Sequence, residues 1–397
     1  MKTTACPLKI FCILSRGGAK IIDCRFFFEA LKKEGIDFFA GVPDSLLSDF
    51  SAYITDHVAA ENHLVAANEG NAVALAAGHY LASRQPGLVY MQNSGLGNAL
   101  NPLVSLADPL VYKIPMLLLI GWRGKPQVAD EPQHIKQGLV TLSLLEIMGL
   151  DYRVLPANEQ EASETISQAA AYMHEKAAPF ALVVEKDTFK AYRKEKNSSS
   201  AYEMSREEAL RLVLAGLDPE AVIVSTTGKL SREIYEYREE RGEGHSRDFL
   251  NVGSMGHASQ IALGIALNKP ERRVFCFDGD GAVIMHMGSL AISGTSGADN
   301  LYHLVFNNSA HDSVGGQATA GFQVDFPKVA AACGYRQALK AENIGQLEKA
   351  LNRITSEKGP ALLEIRVRKG ARKDLGRPKT TPEENKVAFM NFLQPGN

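Results

Sequence analysis

The stretch ERRVFCFDGDGAV, residues 271–283, and the stretch LYHLVFNN, residues 301–308, decide the fold of this chain. Both contain a short apolar run, which is typical of a buried strand. The first run ends in Gly279-Asp280-Gly281 and the second ends in Asn307-Asn308. Two such strands joined through a helical stretch predict a parallel sheet that is covered by helices on both faces.

A carboxylate and an amide side chain therefore follow neighbouring predicted strands. Ligands of open parallel sheets bind at the carboxyl ends of the strands. Mg²⁺ prefers oxygen ligands and takes few from the protein when phosphates supply the others, and the helix N terminus after each strand offers amides to a diphosphate. Asp280 and Asn308 are the predicted metal ligands, and Asn307 is the alternative to Asn308.

The same alternation of short apolar runs and longer helical stretches extends through the whole chain, so the predicted fold class is α/β with two doubly wound parallel sheets. A polar segment rich in lysine and serine, residues 187–204, predicts a linker. We predict an extension at 1–21, one domain at 22–186 and a second at 205–397 with a basic tail. The predicted strands are 37–40, 63–67, 87–91, 115–121 and 180–185, followed by 221–225, 249–252, 272–278, 301–306 and 361–367.

The composition of the chain excludes several classes of protein. Of 397 residues, 45% are hydrophobic and 22% are charged, which is ordinary for a globular protein and unlike a disordered or collagen-like chain. A net charge of −2 gives no argument for a nucleic acid or a membrane as partner. The five cysteines are scattered without a zinc spacing, so we expect a reducing, cytoplasmic location. The apolar run at 10–14 is too short for a secretory signal, although a targeting role or an added strand at 1–21 stays open.

The order of Gly-Asp-Gly and then Asn-Asn, one strand apart, resembles the thiamine diphosphate enzymes. The resemblance implies that Mg²⁺ is held by Asp280, Asn308 and the main-chain carbonyl of Ala310. It also extends to Asn68-Glu69-Gly70-Asn71-Ala72 and to Gly253-Ser254-Met255-Gly256. By the resemblance, Glu69 binds N1′ of the cofactor's aminopyrimidine, and Met255 supports the bent cofactor.

The resemblance further implies a pyrimidine-binding domain first and a diphosphate-binding domain second, with no third domain between them. In this family the cofactor lies between two subunits, so the resemblance implies at least a homodimer. The residues that it places at the cofactor are Glu69, Thr227, Gly228, Gly253, Ser254, Met255, Gly279, Asp280, Gly281, Ala282 and Asn308.

The compact two-domain arrangement resembles the 2-oxo acid decarboxylases whose substrates carry a phosphonate or a sulfonate. Four further segments carry this likeness, at 41–45, 130–134, 310–316 and 372–378. The implied reaction is loss of CO₂ from phosphonopyruvate to give phosphonoacetaldehyde, within the biosynthesis of 2-aminoethylphosphonate. Sulfopyruvate or another 2-oxo acid is the alternative substrate, and a non-catalytic regulatory or binding subunit is the alternative of a different class.

A phosphonate favours the forked donors of arginine, and two basic clusters could supply them, one around Arg123 and one in the tail at 366–379. Ordinary solvated surface is the alternative for both clusters. The substrate candidates are Asn93, Ser94, Arg123, His134, Arg372 and Arg377. The candidates for proton transfer are Glu69, Asp44, His311 and Asp312, with plain loop hydrogen bonding as the alternative for the last three.

Overall fold

The structure is a computed structural model, which describes residues 21–194 and 202–394. The predicted extension, apart from Ile21, and the middle of the predicted linker lie outside the described residues.

The first half of the chain forms a six-stranded sheet in which every pairing is parallel, in the order β2-β1-β3-β4-β6-β5. Its strands are β1 Phe39–Gly41, β2 His63–Val65, β3 Leu88–Gln92, β4 Leu117–Gly121, β5 Asp151–Val154 and β6 Phe180–Val184. Its helices are α1 Cys24–Lys33, α2 Ser48–His57, α3 Glu69–Ser83, α4 Leu96–Pro102, α5 Pro132–Ile147 and α6 Glu159–Lys176.

The second half forms another parallel six-stranded sheet, in the order β11-β12-β10-β9-β7-β8. Its strands are β7 Val222–Ser225, β8 Asp248–Leu250, β9 Val274–Gly279, β10 Leu301–Asn307, β11 Gln337–Ala341 and β12 Ala361–Arg366. Its helices are α7 Arg206–Gly216, α8 Lys229–Glu240, α9 Ala258–Asn268, α10 Asp280–Met285, α11 Ser289–Thr295, α12 Phe326–Ala332, α13 Ile344–Ser356 and α14 Pro382–Phe392. When strands are counted within each half, both sheets follow the order 2-1-3-4-6-5, so the two halves share one topology.

Both faces of each sheet are buried. On the first sheet, Tyr90 and Leu119 pack into the core on one face, while Met91 and Ile120 pack into the core on the other. Burial of one such side chain contributes about 1.5–3 kcal/mol. Strands buried on both sides need apolar residues at every position, and this is why the central strands read as continuous apolar runs.

The prediction of two doubly wound parallel sheets is confirmed, and each predicted strand overlaps an observed one. Two observed strands were missed, β5 and β11, and both are edge strands. An edge strand packs less tightly and tolerates polar residues, as Asp151 and Arg153 in β5 and Lys340 in β11 illustrate. A short polar run of this kind gives no strand signal in the sequence.

Within residues 21–194 and 202–394, no helix combines the length and apolar character that crossing a bilayer requires.

Candidate active site

The carboxyl ends of the two sheets border one cavity of about 750 Å³, lined by residues of both halves. Asn68 Nδ2 donates a hydrogen bond of 3.2 Å to the main-chain oxygen of Met285 and so links the two halves. Cavities of this size are typical of cofactor and small-molecule sites. The location is the one that open parallel sheets use for ligands.

Asp280 occupies the first position of α10, directly after β9, and is only 1% exposed. Thr319 Oγ1 donates to its Oδ2, and the main-chain N–H of Asn308 donates to its Oδ1 over 3.3 Å. Burial, with a further contribution from the like charge of Asp312, raises the pKa of the Asp280 carboxyl to about 6 despite these donors. A bound cation would favour the ionised carboxylate and so offset the cost of burying its charge, as expected for a metal ligand.

The two asparagines at the carboxyl end of β10, Asn307 in the strand and Asn308 directly after it, have different surroundings. Asn307 is fully buried, accepts a hydrogen bond from the main-chain N–H of Ser309 and donates to Gly321 O and Glu364 Oε1. Asn308 lines the cavity beside Asp280 and Ala310. The geometry therefore favours Asn308 over Asn307 as the second metal ligand.

The predicted cofactor contacts of the second half all line this cavity, namely Thr227, Gly228, Gly253, Ser254, Met255, Gly279, Gly281 and Ala282. Gly228 has φ 101°, a backbone conformation that side chains disfavour, and a Cβ there would lie 2.7 Å from Ser313 Oγ. Helix α8 begins at the next residue, Lys229, whose main-chain N–H donates to Ser313 Oγ over 3.4 Å, and the N–H groups of its first turn have no partner within the helix. The N–H groups can donate hydrogen bonds to a diphosphate, and the Asp280 carboxylate and the Asn308 amide oxygen can bind its metal ion. The residues therefore fit a metal-bound diphosphate.

Glu69 brings a second carboxylate to the cavity, from the first half. It lies in the first turn of α3, which Asn68 caps by accepting from Asn71 N–H, and it is 5% exposed. Asn98 Nδ2 donates to Glu69 Oε2 over 2.7 Å. A Cβ at position 95 would lie 2.4–2.6 Å from the Glu69 side chain, so Gly95 leaves the room that this conformation needs.

Two family models match the chain and cover both walls of this cavity. The N-terminal TPP-binding domain of thiamine pyrophosphate enzymes matches residues 24–144, and the C-terminal TPP-binding domain matches residues 226–365. The chain belongs to the thiamine pyrophosphate enzymes. Glu69 falls in the first match, and Asp280, Asn308 and Ala310 fall in the second.

Relatives over the full chain narrow the family. A phosphonopyruvate decarboxylase of Streptomyces viridochromogenes is 37% identical over 375 residues, which cover 90% of this chain and 92% of the relative. A phosphonopyruvate decarboxylase of Streptomyces hygroscopicus is 36% identical, with 90% of each chain covered. A sulfopyruvate decarboxylase of Methanosarcina acetivorans is 27% identical, with 92% of this chain and 96% of the relative covered.

The structure places the predicted catalytic residue Asp44 behind the cavity wall of this thiamine pyrophosphate enzyme. Its side chain is fully buried and accepts hydrogen bonds from Gln92 Nε2 over 2.7 Å and from Leu46 N–H over 2.9 Å. Burial raises the pKa of the Asp44 carboxyl. Gln92 and Ser94 line the cavity in its place, and Ser94 Oγ donates to Gln92 Oε1. A direct proton transfer from Asp44 therefore stays a prediction that this geometry does not favour.

His311 and Asp312, the other two candidates for proton transfer, both line the cavity. Burial lowers the pKa of His311 to about 4, so its imidazole is neutral near pH 7. Asp312 accepts from Asn308 Nδ2 over 2.6 Å and from Gly370 N–H over 2.9 Å. Asp312 thereby holds the amide of Asn308, so a positioning role suits this geometry.

Among the substrate candidates of the first half, Arg123 and His134 line the cavity, whereas Asn93 is buried behind it. Asn93 Nδ2 donates to Arg123 O and to Thr141 Oγ1, so it stabilises the loop that carries Arg123 and does not line the cavity. Arg123 is itself engaged, because Nε donates to Asp130 Oδ2 over 2.8 Å and Nη2 pairs with Asp130 Oδ1. Burial and the neighbouring Arg123 charge lower the pKa of His134.

The two substrate candidates from the basic tail separate in the structure. Arg377 lines the cavity, where it pairs with Glu131. Arg372 does not line it and pairs instead with Glu207 and Glu236. The basic run at 366–379 therefore contributes one arginine to the cavity and one to an ion-pair cluster.

Three cations of the cavity wall were missed by the sequence analysis: Arg206, Lys229 and Arg232. Arg206 is buried and forms a two-pronged pair with Glu233, with Nε–Oε2 and Nη2–Oε1 distances of 2.8 and 2.7 Å. Lys229 and Arg232 lie in the first turns of α8. All three lie on helices of the structure, and nothing in the sequence of a helix shows which of its faces borders a cavity.

One expectation concerns the source of the two walls. We expected Glu69 and the Asp280 loop to come from different subunits, whereas in this structure both line a cavity of a single chain. The homodimer with sites between subunits therefore stays a prediction.

Proposed function

We propose that this thiamine pyrophosphate enzyme decarboxylates 3-phosphonopyruvate to phosphonoacetaldehyde and CO₂ in phosphonate biosynthesis. The observation that carries the proposal is the single cavity bordered by Glu69 and by the Asp280–Asn308 pair, in a chain 37% identical to a phosphonopyruvate decarboxylase. The loss of CO₂ makes the step irreversible in practice, which suits a step that removes the product of an unfavourable preceding reaction. Two relatives that match 90% of the chain are phosphonopyruvate decarboxylases, which argues against a non-catalytic subunit.

Thiamine diphosphate supplies the electron sink for cleavage of the carbon–carbon bond when it is bound. Glu69 would bind the aminopyrimidine end, because it is the buried carboxylate of the first-half wall and Asn98 fixes its orientation. A buried carboxylate can share a proton with a ring nitrogen and hold that proton at a defined atom.

We assign Mg²⁺ to Asp280, Asn308 and the main-chain oxygen of Ala310. Three protein oxygens leave positions for the diphosphate and for water, which is the usual arrangement for this ion. Asp312 keeps Asn308 in place through the 2.6 Å hydrogen bond, and Arg206 Nη1 lies 3.5 Å from Asp312 Oδ2. The metal ligands are therefore supported by a second layer of charged groups.

His311 would present a neutral imidazole to the substrate, since the pKa of its side chain lies near 4. A neutral imidazole can donate one hydrogen bond to the substrate carboxylate without a net charge. Any proton that reaches the product carbon would then come from another donor, such as water held in the cavity.

The oligomer is part of the same proposal, as a homodimer. Five apolar residues that are close in sequence, in α4 and the segment after it, are exposed. This apolar strip of the sequence consists of Leu100, Val104, Leu110, Val111 and Tyr112, with Leu110 95% exposed. Contiguous exposed apolar residues mark surfaces that a partner covers. We infer that a second copy of the chain covers this strip in solution.

Mixing two inactive variants tests whether the site is shared. Glu69→Gln chains and Asp280→Asn chains would be unfolded and refolded together, and their turnover compared with each variant refolded alone. Regained turnover places the two residues of one site on different chains. Mixed oligomers without turnover place each site within one chain, as in the cavity of this structure. A monomeric protein contradicts the dimer.

The test of the function is CO₂ release from phosphonopyruvate, sulfopyruvate and pyruvate in parallel, with thiamine diphosphate and Mg²⁺ present or removed. We expect a strong preference for phosphonopyruvate that disappears on chelation. Preference for sulfopyruvate or pyruvate would keep the family and refute the substrate. No turnover of any of the three, with cofactor bound, would refute the decarboxylase.

A further inference from the structure

Four arginines line the cavity, and they differ in whether a carboxylate neutralises them. Arg123 pairs with Asp130, Arg206 with Glu233 and Arg377 with Glu131. Arg232 lines the same cavity, and within residues 21–194 and 202–394 no carboxylate lies at ion-pair distance from its guanidinium. A partly buried cation without a counter-ion is costly, so its presence in a cavity needs an explanation.

The acids that follow along α8 are already engaged. Glu233 forms the two-pronged pair with Arg206, and Glu236, one turn beyond Arg232, pairs with Arg372 and accepts from Gly376 N–H. The usual helical partners of Arg232 and Lys229 are thus unavailable. Lys229 lies three residues before Arg232, so the two cations share one face of the helix.

We propose that Arg232, assisted by Lys229, binds the phosphonate group of the substrate. This inference rests on the proposed function and names the group of the enzyme that selects a phosphonate. A guanidinium presents planar paired donors that match two oxygens of a phosphonate, and Lys229 adds a second charge for the dianion. The phosphonate of the substrate then acts as the counter-ion of Arg232, which no carboxylate of α8 provides.

The cofactor's diphosphate is the other phosphorus oxyanion that could reach this cavity. The charges that act on Arg232 are those of Arg377 and Glu131, which belong to the wall with Arg123 and His134. Arg377 and Glu131 form an ion pair with each other, so Arg232 lies near the substrate candidate Arg377, which favours the substrate as its ligand. Burial and the Arg377 charge also lower the pKa of Arg232, as expected where positive charge is in excess.

The test uses the full-length holoenzyme with thiamine diphosphate and Mg²⁺, and the variants Arg232→Gln and Arg232→Lys. Arg353→Gln is the matched control, because it removes the same charge from an exposed position of α13. The inert probe is 3-phosphonopropionate, which lacks the 2-oxo group, and its binding is measured by calorimetry. Cofactor affinity is measured separately by fluorescence titration.

We expect Arg232→Gln to raise KM for phosphonopyruvate and to weaken phosphonopropionate binding by about 10- to 100-fold, the usual cost of losing a charged hydrogen-bond pair. Arg232→Lys should recover part of the loss, and cofactor affinity and the control should stay at wild-type values. Unchanged phosphonopropionate affinity in Arg232→Gln overturns the inference. So does a loss confined to cofactor affinity, which would assign Arg232 to the diphosphate.

Failure of the proposed function gives a different result. In that case wild-type enzyme would not release CO₂ from phosphonopyruvate, whatever the variants do. Wild-type turnover with an unaffected Arg232→Gln variant would keep the function and refute only the role of Arg232. Lys229→Gln, with a smaller expected rise in KM, provides the second variant in case Arg232→Gln does not fold.

Discussion

The two halves of the chain share one sheet topology and place different groups after equivalent strands. After the second strand, the first half has Glu69 and the second half has Met255. After the fourth strand, the first half has Arg123 and the second half has Asn308. The topology therefore fixes where the loops lie, and the side chains on those loops decide what each half can bind.

The difference follows from how each ligand would be held. Around the metal ligands, the second half offers short side chains and main-chain groups, since a metal-bound diphosphate must approach the backbone closely. The first half offers a buried carboxylate, which suits a ring nitrogen. Longer polar side chains suited to a small substrate come from both halves, Arg123 and His134 from the first and Lys229 and Arg232 from the second. Substitutions at Asp280, Glu69, Gly95 and His311 test this difference between the halves.

Asp280→Asn should remove cofactor binding. The variant loses the carboxylate that binds the metal. Loss of a residue that only supports a metal ligand costs about 10- to 100-fold in metal affinity. The affinity for thiamine diphosphate in the presence of Mg²⁺ should therefore fall by more than this. Fluorescence titration with and without a chelator measures this fall. Asp218→Asn, at an exposed position of the same half, is the control, and wild-type cofactor affinity in Asp280→Asn would show that the second-half wall does not hold the metal.

Glu69→Gln should abolish turnover and leave cofactor affinity within a few-fold of wild type. The amide cannot share a proton as the carboxylate does, and a positioned acid–base group contributes about 10²- to 10⁴-fold. CO₂ release and cofactor titration on one preparation separate the two effects. Glu61→Gln, exposed just before β2, controls for the charge, and equal losses of affinity and turnover would remove the contrast between the halves.

Gly95→Ala tests whether the position of Glu69 depends on the small residue beside it. The added Cβ would lie 2.4–2.6 Å from the Glu69 side chain, and displacing a reacting group by about 1 Å can cost up to about 100-fold in rate. We expect a fall in turnover of about 10- to 100-fold with the fold intact by circular dichroism.

The matched control is Gly78→Ala in α3, where an added Cβ meets no atom within 4 Å. Its turnover should be unchanged, and its stability should rise by about 0.5–1 kcal/mol. Wild-type turnover in Gly95→Ala would mean that Glu69 acts from a different conformation.

In the cofactor-free protein, His311→Gln should change the free energy of unfolding only at acid pH, below about 6.5. The folded protein keeps His311 neutral down to about pH 4, while the unfolded chain takes up a proton near pH 6.5. The contribution of His311 to the free energy of unfolding is therefore complete above pH 6.5 and is lost as the pH falls toward 4. The loss from this group reaches about 2 kcal/mol at pH 5. Urea unfolding at pH 7 and pH 5 should show a smaller difference in the variant, and an equal difference would contradict the neutral imidazole.

Much of the site could be predicted from the chain alone because its groups follow strands directly. Asp280 and Asn308 each follow an apolar run, and in a parallel sheet this local position already places a residue at the ligand-binding edge. The central strands were predictable for a similar reason, since burial on both faces demands a continuous apolar run. The edge strands β5 and β11 lack that demand and were missed. Glu69 was predicted from the resemblance to the thiamine diphosphate enzymes.

The tertiary structure alone decided which charges are available. Arg123, Arg372 and Arg377 stand out in the sequence, but each meets a carboxylate in the fold, and Arg372 leaves the cavity altogether. Arg232 is inconspicuous in the sequence, yet it borders the cavity while Glu236 is taken by Arg372. Local patterns fix which residues are charged, whereas ion pairing depends on where distant segments meet, and only the packed chain determines that.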